Sequence, residues 1–165
     1  MLELVAGEIG LKYLDQSGFC AWSEPGYAYY QQGERKNIEQ TLRRGLRLSI
    51  IGFFQPLISF VYGLVIGKVD RKSYIQMMEK EAEESPALGR IRVIVQDNGS
   101  IHRCLQVQQL WSKWESQGLY IFFWPKYCSE MNPIELKWQH LKKNELAGKM
   151  FEEELELAYT VIHGV

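Results

Sequence analysis

LSIIGFFQPLISFVYGLVIG, residues 48 to 67, runs for twenty residues without a charge, the length of a membrane span. Its interior points elsewhere. Gln55 and Pro56 sit at the middle, Ser49 and Ser59 lie on either side, and both halves are rich in β-branched and aromatic residues. Two strands joined by a turn fit that pattern better than a helix. The expected hairpin runs Leu46–Phe54 and Leu57–Ile66, with no membrane partner.

On the upstream side, Ile9–Leu14 (IGLKYL) alternates as a strand and ends at Asp15. Residues 19–45 read as an insertion between the first two strands. Its first part holds Trp22, Tyr27, Tyr29, Tyr30 and Pro25-Gly26, and its second part is polar and basic. Downstream, Asp70 caps a helix expected through Glu84, since Tyr74, Ile75, Met77 and Met78 line one face, and Pro86 to Gly89 ends it. Ile91–Val95 (IRVIV) has the composition of a buried strand and runs into Gln96-Asp97-Asn98-Gly99. A helix over Ile101–Gln117 stops at Gly118, and Leu119–Trp124 (LYIFFW) forms a last buried strand. Asn132-Pro133 opens a helix through Leu146, and an acidic helix covers about Phe151 to Ile162.

The order β, β, β, α, β, α, β, α implies an α/β fold with a mixed five-stranded sheet. Three strands are antiparallel, two are parallel, and helices lie on both faces. In such sheets ligands gather at the carboxyl ends of parallel strands. The composition agrees with one soluble domain: 165 residues, enough for a core, and three cysteines, Cys20, Cys104 and Cys128, too far apart for a disulfide framework or zinc ribbon. A zinc site from His102, Cys104, Cys128 and His140 would need unusual spacing. With no secretory start, a reducing cytoplasmic setting follows. Net charge is −1, yet the last fifteen residues hold four glutamates and no Lys or Arg, which leaves residues 1–150 at +3. That balance permits an acidic partner without demanding one.

Two of the three aspartates, Asp15 and Asp97, directly follow apolar strands, where a lone carboxylate is costly without a cation or hydrogen-bond partner. Glu135 stands in the opening turn of the Asn132-Pro133 helix. Oxygen ligands from two strands and a helix suit Mg²⁺ or Mn²⁺, and a pair of such ions stabilises the attacking and leaving oxygens of a phosphodiester displacement. Each residue also has a plain structural reading. Asp15 before Gln16-Ser17-Gly18 suits an Asx turn, Asp97-Asn98-Gly99 is an ordinary turn, and Asn132 with Glu135 resembles a capping box.

YLDQSGF (13–19), VIVQDNGSIH (93–102) and WPKYCSEMNPIELKW (124–138) resemble the three signature blocks of the DDE endonuclease domain of mariner-type transposases, in the bacterial insertion-sequence branch. The third block is the most specific, with Pro125, Tyr127, Glu130, Asn132, Pro133, Ile134, Glu135 and Trp138 at pattern positions. Gln16, where glutamate is usual, and Cys128, where serine is common, depart from it. The resemblance implies an RNase H-like fold, with Asp15, Asp97 and Glu135 as catalytic triad and metal ligands for two Mg²⁺ or Mn²⁺ ions. It further implies DNA cleavage at transposon ends and strand transfer at TA sites, hence work at the nucleoid. His102, Asn98 and Asn132 are candidates to support the triad. Lys126, Lys137, Lys142, Arg43 and Arg44 are candidates to contact DNA phosphates. Family members carry N-terminal helix-turn-helix modules that do not fit in the twelve residues before the first block. The expectation is therefore a catalytic half, served by a separate DNA-recognition partner or a homodimer. The competing readings are a non-catalytic DNA-binding or dimerisation remnant and another RNase H-like nuclease.

Overall fold

The computed structural model describes residues 9–20, 47–87, 89–125, 128, 131–147, 149 and 151–165. Almost all of the 19–45 insertion lies outside them, as do Lys126, Tyr127 and Glu130.

The described strands form one five-stranded sheet: β1 (Ile9–Cys20), β2 (Arg47–Gln55), β3 (Ser59–Ile66), β4 (Ile91–Gln96) and β5 (Leu119–Phe123), in the order β3-β2-β1-β4-β5. β2 is antiparallel to β1 and β3, whereas β4 runs parallel to β1 and β5 parallel to β4. The uncharged stretch at 48–67 is thus a hairpin. Its turn places Leu57 at φ 63 after Pro56, with the Ile58 amide donating to Gln55 O at 3.1 Å. Among the described residues no helix is long and apolar enough to cross a membrane.

Helices cover both faces. On one lie α1 (Arg71–Ala87) and α2 (Leu105–Ser116), packed through Tyr74, Met78, Val107 and Trp114 onto Leu14, Ile51, Phe53 and Ile94. On the other lie α3 (Ile134–His140), a π-helical continuation (Leu141–Leu146) and α4 (Glu154–Gly164), packed onto Phe19, Leu48 and Ile50. The alternation of side chains along a strand explains the division: Ile50 faces one layer and Ile51 the other. A buried ion cluster pins α1 to the sheet. Lys12 of β1 and Arg92 of β4 both donate to Glu81, at 2.8 and 2.5 Å, and all three side chains are nearly inaccessible.

Several boundaries differ from the sequence reading. β1 does not end before Asp15 but continues to Cys20, because β2 pairs with it as far as Cys20–Arg47. The Asx-turn reading of Asp15 is therefore wrong. α1 runs past Glu84 to Ala87 and contains Pro86, whose carbonyl closes the turn by accepting from Gly89 at 3.1 Å. α2 begins at Leu105 rather than Ile101, since residues 99–102 form a turn closed by His102 N to Gly99 O at 3.0 Å. It stops at Gly118, whose φ of 83 turns the chain into β5. The last helix starts at Glu154 rather than Phe151. β5 is not fully buried either. It is an edge strand, and Tyr120 and Phe122 are exposed on the face that α3 and α4 leave uncovered.

Candidate active site

β1 loses its parallel neighbour just before Asp15. The β1–β4 register ends at Tyr13–Val95 and β4 ends at Gln96, so Asp97 leaves the sheet level with Asp15. On its other side Asp15 remains paired with Gly52 of β2. Alternation from Leu14 turns Asp15 toward the α3 face, while Asp97, just past the end of β4, pairs with His102, which packs on Tyr74 of α1.

The third carboxylate arrives on α3. Asn132 fixes the entry of that helix: its amide donates to Leu14 O at 3.4 Å, and its Oδ1 accepts from the Ile134 amide at 3.4 Å. The Glu135 amide donates to Asn132 O at 3.0 Å, which closes the first turn. Among the described residues no hydrogen bond returns the Glu135 carboxylate to the Asn132 amide, so the reciprocal half of a capping box is absent. Glu135 is half-buried in the first turn, where the helix dipole favours an anion.

Trp138, one turn on from Glu135, donates from Nε1 to Asp15 Oδ2 at 3.0 Å. Glycine at position 52 makes that possible. A Cβ there would fall 3.0 Å from Trp138 Cη2 and 2.9 Å from the Phe60 ring, so only a bare backbone lets the indole lie over β2. Trp138 was legible as a motif residue, whereas its bond to Asp15 was not. The usable signal is its spacing of three from Glu135, which puts both on one helix face.

Burial pushes the Asp15 carboxyl up to about 6. The Gln16 amide and Trp138 pull it down, and the charges of Glu135 and Asp97 push it further up. Glu135 and Asp97 are thus near enough for their charges to act on Asp15. Asp97 goes the other way. His102, with Nδ1 2.7 Å from Asp97 Oδ1, holds it below the usual carboxylate range despite partial burial, and the Gly99 amide adds a bond at 3.0 Å. His102 is itself buried against the Tyr74 ring, 4.7 Å between centroids. Asn98 ties the loop after β4 to β5, donating to Trp124 O and accepting from Arg103 at 3.1 Å.

The donor set suits a hard divalent cation: carboxylate oxygens, one of them costly to ionise while no cation is beside it. Among the described residues, however, no three His, Cys, Asp or Glu side chains are disposed to enclose an ion. Asp15 and Asp97 are turned to Trp138 and His102 respectively. Of the expected DNA contacts, Lys137 and Lys142 are exposed on the α3 side, with their ammonium groups 5.7 Å from the Phe54 ring and 5.9 Å from the Phe19 ring. Lys137 also lines a cleft of about 230 Å³ with Phe60, Trp138 and His140. Arg43, Arg44 and Lys126 lie outside the described residues.

Compared with known families, residues 11–158 match the family described as DDE superfamily endonuclease. The chain belongs to that family. Among curated proteins none matches the sequence significantly. The fold of this DDE endonuclease chain is shared with solved structures of the mariner transposase Mos1. Its paired end complex with Mn matches at TM-score 0.71 and 13% identity, over 93% of this chain and 47% of that one. The Mos1 strand transfer complex matches at 0.69 and 14%, over 93% and 46%. The isolated Mos1 catalytic domain matches at 0.64 and 11%, over 93% and 68%. The DDE endonuclease chain thus spans about half the length of the full transposase chains it resembles, and its sheet is of the RNase H-like type found in their catalytic domains.

Proposed function

We propose that this chain is the catalytic domain of a DNA transposase, cutting phosphodiester bonds at element ends and joining the freed ends to target DNA. The carrying observation is the position of Asp15: mid-strand, where β1 parts from β4, with its carboxyl raised chiefly by burial and further by the charges of Glu135 and Asp97. In this reading Asp15, Asp97 and Glu135 hold two Mg²⁺ or Mn²⁺ ions, which supply a lowered water pKa and stabilisation of the attacking and leaving oxygens. Trp138 orients Asp15, His102 orients Asp97, and Asn132 sets the position of Glu135 by tying α3 to β1. Family membership and the shared fold support a DNA substrate. Pairing of two copies at the ends, and DNA recognition by a separate helix-turn-helix partner, belong to the same proposal, as does work at the nucleoid.

The test is nicking of end-containing duplexes with Mn²⁺ or Mg²⁺. Asp15→Asn, Asp97→Asn and Glu135→Gln should each abolish it, and unchanged nicking in all three would sink the assignment. The separation of the carboxylates onto their own partners favours one second reading, a DNA-binding remnant without catalysis. Calorimetric titration with Mn²⁺ separates the two, since a remnant shows no binding that depends on Asp15.

A further inference from the structure

On the sheet face opposite Asp15 lies a cavity of about 310 Å³, lined by Gln16, Ser17, Gly18, Arg47, Ser49, Lys68 and Val69. Two cations border it, and among the described residues neither Arg47 nor Lys68 forms an ion pair. The nearest carboxylate in sequence, Asp70, is engaged elsewhere, accepting from the Ser73 amide and hydroxyl at 2.8 Å each. The remaining polar lining includes the Gln16 side-chain amide, a group that donates readily to phosphate oxygens.

The local backbone builds this arrangement. The Arg47 guanidinium lies flat on β1 at Gly18, where an added Cβ would fall 2.7 Å from Nη2 and 3.3 Å from Cζ. Gly67, at φ 89, turns the chain sharply after β3 and is anchored twice: its amide donates to Arg47 O at 2.7 Å, and its carbonyl accepts from Ser49 Oγ at 2.5 Å. That turn delivers Lys68 to the pocket's rim. A dispensable surface arginine would need neither a bare strand position beneath it nor a left-handed glycine beside it.

We propose that this pocket holds a backbone phosphate of the DNA that the chain binds. Among the described residues β1 has no β4 neighbour beyond Tyr13. Along β1, Gly18 lies about 10 Å beyond Asp15. The identity of the ligand rests on the DNA-processing reading, whereas the pocket's affinity for phosphate does not.

The experiment measures binding of a fluorescein-labelled 20-bp duplex, without metal, by anisotropy across a salt series. Arg47→Ala and Lys68→Ala should each weaken binding several-fold and lower the salt slope by about 1, and the double variant by about 2. Gly18→Val, which keeps both charges but displaces the guanidinium, should weaken binding as Arg47→Ala does. Lys80→Ala, an exposed change on α1, should stay within twofold. A folded double variant with wild-type affinity and slope overturns the proposal. So does a double variant that loses saturable binding of inorganic phosphate while binding duplex normally, since the pocket would then serve a small anion. Nicking assays run in parallel keep the two ideas apart: intact metal-dependent nicking with no effect at Arg47 and Lys68 rejects the pocket alone. Loss of duplex binding in the double variant of a chain that never nicks upholds the pocket and rejects the catalytic reading.

Discussion

Asp15 is asked to carry a charge where the fold makes charge expensive. Its folded value of about 6 lies above the ordinary 3.8, so the native state binds this proton more tightly than the unfolded chain does. Below about pH 4 both states are protonated and nothing is lost. As pH rises from about 4 to 6 the unfolded chain ionises first, and above 6 the native state carries a constant penalty of at most about 3 kcal/mol. Asp15→Asn should therefore raise the apo Tm at pH 8 and leave it unchanged near pH 4, and a thermal melt at each pH checks this. Mn²⁺ should raise the wild-type Tm and leave that of Asp15→Asn unmoved. At the neighbouring acid, His102→Ala removes the group that orients Asp97, and Mn²⁺ affinity should fall about tenfold by titration. The three acids stand out in the sequence because each follows an apolar run or opens a helix. What surrounds them does not. The bonds from Trp138 to Asp15 and from His102 to Asp97 depend on how α3 and the loop after β4 dock, which residue types alone do not specify.

Among the elements, the hairpin at 48–67 shows where composition sufficed. Gln55-Pro56 named the turn correctly, yet the pattern did not reveal that Leu57 would sit at φ 63, fully exposed. A left-handed leucine costs about 1–2 kcal/mol, while asparagine tolerates that region. Leu57→Asn should thus stabilise the chain by about 1 kcal/mol in urea unfolding. β1 shows the opposite case. Its apolar alternation fades at Asp15, where the sequence pattern predicts the strand's end. In fact it persists because β2 continues to supply hydrogen-bond partners, an interaction with no local signature in Gln16-Ser17-Gly18. The exposed face of β5 was missed for a related reason: LYIFFW is apolar throughout, but the helices on its α3 side do not extend over Tyr120 and Phe122.

At the scale of the molecule, two layers of helices are attached to one sheet by different means. α3 and α4 rest on an apolar core, whereas α1 is also held by Lys12, Glu81 and Arg92. Glu81→Ala would strand two buried cations, and breaking such a cluster costs about 3–5 kcal/mol. That is a large share of the stability of a domain this size. Replacing Lys12, Glu81 and Arg92 together by apolar residues of similar volume should cost far less, and comparison of the two urea midpoints decides the point. The joining of Ile9 to Ile91, and of Asn132 to Leu14 across 118 residues, has a consequence in time. Contacts so distant in sequence form late. A ribosome must finish β4 before Asp97 can come level with Asp15, and α3 before Glu135 nears them, so a polypeptide interrupted before α3 emerges lacks one of the three proposed metal ligands. If the proposed triad holds, the chain could cut DNA only once synthesis has passed the last of the three carboxylates.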